Sequence, residues 1–288
     1  MSIKNKIKGI FKLFFPPKVV KAEVSELGQN ELLSGRKALI TGGTGGIGSE
    51  MAKMFARSGA KVIITGRSKE KIEKVVNKIN NELNNPGGAI YGLEMNLNDT
   101  DSLESCFKQA VDKLGSIDIL VNNAGIVGGD FNTCTGQDFE KIMSTNVKGN
   151  LFLTRIAARY MIANRIKGNI LNICSSSSLR PANCVYVLSK WAVRSMTEGF
   201  AKMLIPHDIV VNGIAPGPTA TAMLGKSADD DISLPNNPVG RYATPQEIAN
   251  MSVIMVSNMC RMVVGDILYM TGGSGNLTNE DVSYEFKL

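Results

Sequence analysis

Lys37-Ala38-Leu39-Ile40-Thr41-Gly42-Gly43-Thr44-Gly45-Gly46-Ile47-Gly48 is the stretch that decides the fold. Its first four residues read as a short buried strand, and the helical pattern that follows the glycines runs through Arg57. Glycines between a strand and a helix let the backbone approach a pyrophosphate, and the helix N-terminus favours the negative charge. No Gly-Lys-Ser/Thr follows, so the turn is not a Walker loop. Alone it is only a tight turn; its weight comes from what surrounds it.

Downstream, strand and helix alternate. Strands are expected at Lys61–Thr65, Ala89–Met95, Ile117–Val121, Asn169–Ile173, Ile209–Ile214 and Ile267–Met270. Helices are expected at Lys69–Leu83, Asp99–Leu114, Phe139–Ile162 and Cys184–Met203, with a loop over 84–88. Strands apolar on both faces, separated by helices, imply a parallel sheet covered on both sides. The expected architecture is α/β, a Rossmann-like doubly wound parallel sheet of about seven strands, spanning 36–288 as one domain behind an N-terminal extension, 1–35.

That extension differs from the body. Ile3, Ile7, Ile10, Phe11 and Phe14 recur at helical spacing among lysines, and Pro16-Pro17 ends any helix. Lysine interrupts it too often for a signal-peptide core. Docking on the protein's own body or a sister subunit, contact of residues 1–15 with an anionic membrane surface, and a flexible tail all remain open. Six lysines fall in the first 21 residues, so the +6 net charge leaves the body near neutral, which argues against a nucleic-acid groove. The 288 residues are 43% apolar, enough for a core without staples. Five scattered cysteines form no Cys-x-x-Cys pair and fit a reduced, cytoplasmic protein. A single histidine, His207, nearly removes His-based zinc sites, and no metal is expected. No apolar run approaches the length of a membrane span.

Two features point to chemistry. The second strand runs into Gly66-Arg67. An acid here would hold ribose hydroxyls and repel a 2′-phosphate; glycine and arginine instead leave room for the phosphate and offer it a cation, which favours NADP over NAD. Tyr186 and Lys190 stand four apart on one helical face. An ammonium beside a tyrosine favours the phenolate, giving a proton donor and acceptor for alcohol–ketone interconversion. Tyr-x-x-x-Lys alone is common by chance.

Thr41–Gly48, Asn122–Gly125, Asn146, the serine run 175–178, Tyr186/Lys190 and Pro216-Gly217 nevertheless occur in one order at coherent spacing. Over roughly residues 36–275 this resembles the short-chain dehydrogenase/reductase family. The resemblance implies a single Rossmann-like domain assembled as a homotetramer or homodimer. It implies that Tyr186 exchanges a proton with the substrate oxygen, Lys190 binds the nicotinamide ribose, and Asn146 holds a water in a proton relay. Ser175 would orient the substrate oxygen, with Ser176 the alternative and Ser177–Ser178 shaping the loop. Cofactor contacts would fall on Gly42, Thr44, Gly46, Ile47 and Gly48; on Arg67, Asn96 and Leu97; on Asn122, Asn123, Ala124 and Gly125; on Tyr186 and Lys190; and on Pro216, Gly217, Thr219 and Thr221, the last bonding the carboxamide. Asn96 replaces the family's usual Asp, and its amide oxygen can still accept from adenine. Thr271-Gly272-Gly273 replaces the more usual Asp-Gly-Gly, and His207 is non-catalytic.

Substrate identity is expected in loops 126–134, 179–185 and 222–240. Met223, Leu224, Ile232 and Leu234 suggest an apolar cover, hence a mostly apolar substrate: a steroid, a hydrophobic ketone or a 3-oxoacyl thioester. No arginine cluster in these loops indicates a highly anionic small substrate. The rivals are a non-catalytic nucleotide-binding regulator, a membrane-associated scaffold, and an epimerase or dehydratase on the same fold.

Overall fold

The computed structural model describes residues 31–83, 90–227, 230–275 and 277. Seven parallel strands form one sheet in the order β3-β2-β1-β4-β5-β6-β7. They are β1 (Lys37–Ile40), β2 (Lys61–Gly66), β3 (Ile90–Glu94), β4 (Ile119–Asn122), β5 (Asn169–Ile173), β6 (Val210–Pro216) and β7 (Ile267–Met270). The helices are α1 (Gly46–Arg57), α2 (Lys69–Glu82), α3 (Leu103–Leu114), α4 (Gly136–Met143), α5 (Gly149–Ala163), α6 (Val185–Leu204) and α7 (Pro245–Val256). The expected doubly wound Rossmann-like sheet is thus the architecture. Residues 1–30 and 84–89 lie outside the described residues, and with them the amphipathic pattern, the 84–88 loop and the first residue of the expected third strand.

Strand periodicity sorts the core into two layers. Ala38, Ile40, Val62, Ile64 and Val121 face α1, α2 and α7, meeting Met54, Phe55, Ile79 and Val253. Leu39, Ile63, Leu120 and Ile170 face the other way, onto Leu103 and Phe107 of α3, Leu153 and Met161 of α5, and Leu204 of α6. Neighbouring residues of one strand enter opposite layers, which is why these strands carry no polar face. Leu33, fully buried ahead of β1, donates its N–H to Ser58 O at 2.9 Å.

Two elements depart from the sequence expectation. The long helix expected over 139–162 is broken: Ser144–Lys148 is a π-helical segment between α4 and α5. The start moves to Gly136, because Thr135 and Asp138 form a capping box. Helix α7 was not anticipated, although Thr244-Pro245-Gln246-Glu247 announces it. Thr244 and Glu247 close a capping box, and Pro245 occupies the first turn, where a missing N–H costs nothing.

The chain builds β1 to β3 in one direction and returns to place β4 beside β1. In such sheets the crevice beyond the strand C-termini at this reversal takes the ligand. The glycine turn after β1 and residues 123–125 after β4 both stand there.

Candidate active site

A cleft of about 640 Å³ lies beyond the sheet's C-terminal ends. One wall is the glycine turn, with Gly42, Thr44, Gly46 and Ile47 all lining it. Gly42 has φ +64, and a Cβ there would stand 2.8 Å from Ala124 Cα. Glycine is therefore required by conformation and by space. Thr41 knits the turn to the end of β4: its Oγ1 accepts from Asn123 N at 3.0 Å and Ala124 N at 3.1 Å. Asn123 returns the tie, donating Nδ2 to Thr41 O at 2.9 Å and Gly42 O at 3.1 Å. No side chain caps α1 at Gly45, so its first-turn N–H groups are open to an anion.

Gly48 does not line the cleft. A Cβ there would lie 2.4 Å from Gly42 O, so this glycine lets α1 approach the turn. Asn122 is the clearer correction. It is 2% exposed and points away from the cleft, donating Nδ2 to Thr154 Oγ1 and to Asn172 Oδ1, both at 2.8 Å. It belongs to an interior polar network, continued by Asn172 Nδ2 to Thr197 Oγ1 at 2.9 Å. Asn123, Ala124 and Gly125 do line the cleft.

Beyond β2, Gly66 and the exposed Arg67 line the cleft. A Cβ at 66 would stand 3.0 Å from Thr44 Cγ2, so glycine here makes room for Thr44. Among the described residues Arg67 has no carboxylate partner. Asn96 and Leu97 line the next stretch; Asn96 Oδ1 already accepts from Asn98 N at 3.2 Å, which leaves one lone pair for an adenine amine.

The reactive pair projects from the first turns of α6. Lys190 Nζ lies 5.7 Å from the Tyr186 ring centroid and donates to Ile173 O at 2.7 Å. At 6% exposure this ammonium is held in place by the end of β5. Ser175 follows that strand. Its hydroxyl accepts from Ser177 N at 3.1 Å, which leaves the O–H proton free to donate into the cleft. Ser178 is wholly buried and donates Oγ to Ser175 O at 2.8 Å, fixing the loop, while Ser176 and Ser177 also line the cleft. Cys174 sits beside them with its thiol pushed up to about 11 by burial, despite the nearby Lys190 charge, so at neutral pH it is no nucleophile.

Asn146 lies in the π segment and is 1% exposed. Its Oδ1 accepts from Ile126 N at 2.8 Å, and its Nδ2 donates to Ile126 O and Ser189 Oγ, both at 2.9 Å. The side chain is a clasp between the loop after β4 and α6. The Asn146 carbonyl accepts from Asn150 Nδ2 at 2.8 Å.

Pro216 at the end of β6 and Gly217, Thr219 and Thr221 beyond it line the cleft. Thr219 Oγ1 donates to Gly217 O at 3.0 Å, and the Thr221 methyl faces Gly46. Of the expected cover, Met223 and Leu224 line the mouth, 55% and 48% exposed. Ile232 does not: it is wholly buried and anchors the loop, its carbonyl accepting from Tyr242 N at 2.8 Å. Sequence reasoning missed Thr145, Asn98, Ile126, Val127 and Arg180 as lining residues. Ile126, Val127 and Arg180 lay within loops already marked for substrate identity; Thr145 and Asn98 carry no local signal. Among the described residues no His/Cys/Asp/Glu group is placed to hold a metal, and no helix is long and apolar enough to cross a membrane.

Comparison with known proteins agrees with this geometry. Residues 36–232 match the family model described as short chain dehydrogenase. The chain is 33% identical to a 3-oxoacyl-[acyl-carrier-protein] reductase of Aquifex aeolicus, over 84% of this chain and 98% of that protein. It is 34% identical to a 3alpha-hydroxysteroid dehydrogenase of Mediterraneibacter gnavus, again over 84% and 98%. A crystal structure of the Brucella melitensis 3-ketoacyl-(acyl-carrier-protein) reductase complexed with NADH superposes with a TM-score of 0.76 at 30% identity, covering 84% of this chain and 99% of that one. Match, sheet order and cleft together make the chain a member of the short-chain dehydrogenase/reductase family and an NAD(P)-dependent oxidoreductase.

Proposed function

We propose that this enzyme interconverts a secondary alcohol and a ketone with NADP(H), using Tyr186 as the acid and base, on a mostly apolar substrate. The observation that carries it is the placement of Tyr186 and Lys190, one helical turn apart, in the same cleft as the glycine turn. The residues fit a dinucleotide: the uncapped α1 N-terminus suits a pyrophosphate, and glycines keep the backbone within reach of it.

When bound, the nicotinamide supplies the hydride for reduction and takes it back in oxidation. The rest falls to this chain. In reduction the Tyr186 hydroxyl gives its proton to the substrate oxygen, and in oxidation it recovers one. Ser175 donates a hydrogen bond to that oxygen and orients it. The buried Lys190 ammonium, held by Ile173 O, stabilises the phenolate left when the proton departs. Asn146 acts by position, fixing Ile126 against α6.

The preference for NADP rests on Gly66, Thr44 and Arg67 at the end of β2, Arg67 having no carboxylate partner among the described residues. Val127, Met223 and Leu224 at the mouth favour an apolar body on the substrate. The test compares NADPH with NADH across a panel of ketones and alcohols. Tyr186→Phe should abolish turnover while still binding cofactor, and Arg67→Ala should raise the KM for NADPH roughly tenfold or more while leaving NADH unchanged. Retained turnover in Tyr186→Phe, or a wild-type preference for NADH, refutes the assignment.

A further inference from the structure

We propose that the substrate carries one anionic group, a carboxylate or a phosphate at the end of its apolar body, and that Arg180 binds it. This rests on the dehydrogenase function proposed above, and it adds the substrate's charge.

The cleft's charges are one-sided. Its lining includes three cations, Arg67, Lys190 and Arg180, and no acidic side chain among the described residues. Two of the cations have work in the chemistry above. Arg67 stands at the adenosine end, and Lys190 is buried against Ile173 O beside Tyr186. Arg180 has none: among the described residues its guanidinium makes no hydrogen bond and no ion pair. Arg67 follows β2, and Arg180 belongs to the loop after β5, three strand positions away in the order β2-β1-β4-β5. At about 4.8 Å per strand the ends of those two strands stand roughly 14 Å apart.

The backbone under Arg180 is clipped to the helix that carries the reactive pair. Trp191 donates Nε1 to Arg180 O at 2.9 Å, and Arg194 donates to Ser178 O at 3.2 Å while its guanidinium stacks 5.4 Å from the Trp191 ring centroid. Arg180 is thus positioned relative to Tyr186, as a group that fixes a substrate's tail must be. Around it the mouth offers Val127, Met223 and Leu224, apolar and about half exposed. A cation beside an apolar rim suits an amphipathic anion better than a small polyanion or a neutral ketone.

The molecule supplies its own reporter, because Trp191 is the sole tryptophan. The holoenzyme with NADP is titrated with dehydrocholic acid, with its methyl ester, and with a long-chain oxoalkyl monophosphate as the phosphate arm, following Trp191 emission. Reduction of each is followed separately with NADPH. The expected result is binding of at least one of the two anions roughly tenfold tighter than the neutral ester, weakening as salt rises. Arg180→Gln should bring that anion to the ester's affinity and raise its KM with little change in kcat. Arg180→Lys should keep part of the preference, and ester turnover in Arg180→Gln shows that the fold is intact. Equal affinities for ester and both anions in the wild type, or an anion preference that survives Arg180→Gln, overturn the proposal. Binding that depends on Arg180 without reduction of any compound refutes the alcohol–ketone assignment instead and leaves the anion site standing.

Discussion

Replacing Asn146 by leucine keeps the approximate volume of a side chain that is 1% exposed and removes three hydrogen bonds at once. Ile126 N, Ile126 O and Ser189 Oγ each lose a partner. A buried polar group left unpaired costs about 1–3 kcal/mol. With Ser189 Oγ still donating to Tyr186 O at 2.6 Å, two backbone groups bear most of the penalty. The expected loss is about 3–5 kcal/mol, which lowers Tm by roughly 10 °C in a domain of this size. Ser189→Ala, which keeps both ties to Ile126, should cost about 1 kcal/mol. Urea unfolding of the three proteins measures both numbers, and turnover should fall in Asn146→Leu because Ile126 lines the cleft. If Asn146→Leu loses less than about 1 kcal/mol, or no more than Ser189→Ala, the clasp is not what Asn146 is for.

Two further outcomes are expected. Gly48→Ala places a Cβ 2.4 Å from Gly42 O and should weaken dinucleotide binding at least tenfold by calorimetry; Gly45→Ala, with nothing within 4 Å and an extended φ of −165°, should leave it unchanged. Glu247 is opposed by burial, yet two hydrogen bonds from Arg241 and those from Thr244 win and hold its carboxyl below the ordinary 4.5. The native state therefore binds fewer protons than the unfolded chain, so this stability is present above pH 4.5 and is lost as pH falls through the lower folded value. Glu247→Gln should cost about 1–2 kcal/mol at pH 7, with the gap to wild type closing toward pH 3 in urea melts; a gap that stays constant with pH would remove the ion pair from the account.

The sheet was legible because the strands put apolar residues at neighbouring positions, and so on both faces, and Lys37–Ile40, Asn169–Ile173 and Ile267–Met270 match the observed strands to the residue. Tyr186, Lys190, Ser175 and the glycine turn were legible because their types and order carry chemistry. Side-chain direction was not. Asn122 and Asn123 are identical neighbours, and only the pleat of β4 sends the first into the interior network and leaves the second at the cleft. The π segment was hidden because an apolar helical pattern continues through Ser144–Lys148 with no proline or glycine inside it. Arg180 was passed over because a single cation in a loop has no meaning until its neighbours prove to hold no acid.

That π segment also sets the tolerance of the chain to length change. A helix advances about 100° per residue, so the widened turn over Ser144–Lys148 works as a phase adjuster between α4 and α5. Deleting one residue there would not merely shorten a connection. It would rotate all of α4 relative to α5 by nearly a third of a turn, sending Ile142 out of the interior it now fills. In a loop such as 222–240 the same deletion would be taken up locally. Insertions and deletions accepted among relatives of this enzyme should therefore gather in the loops and spare these five residues.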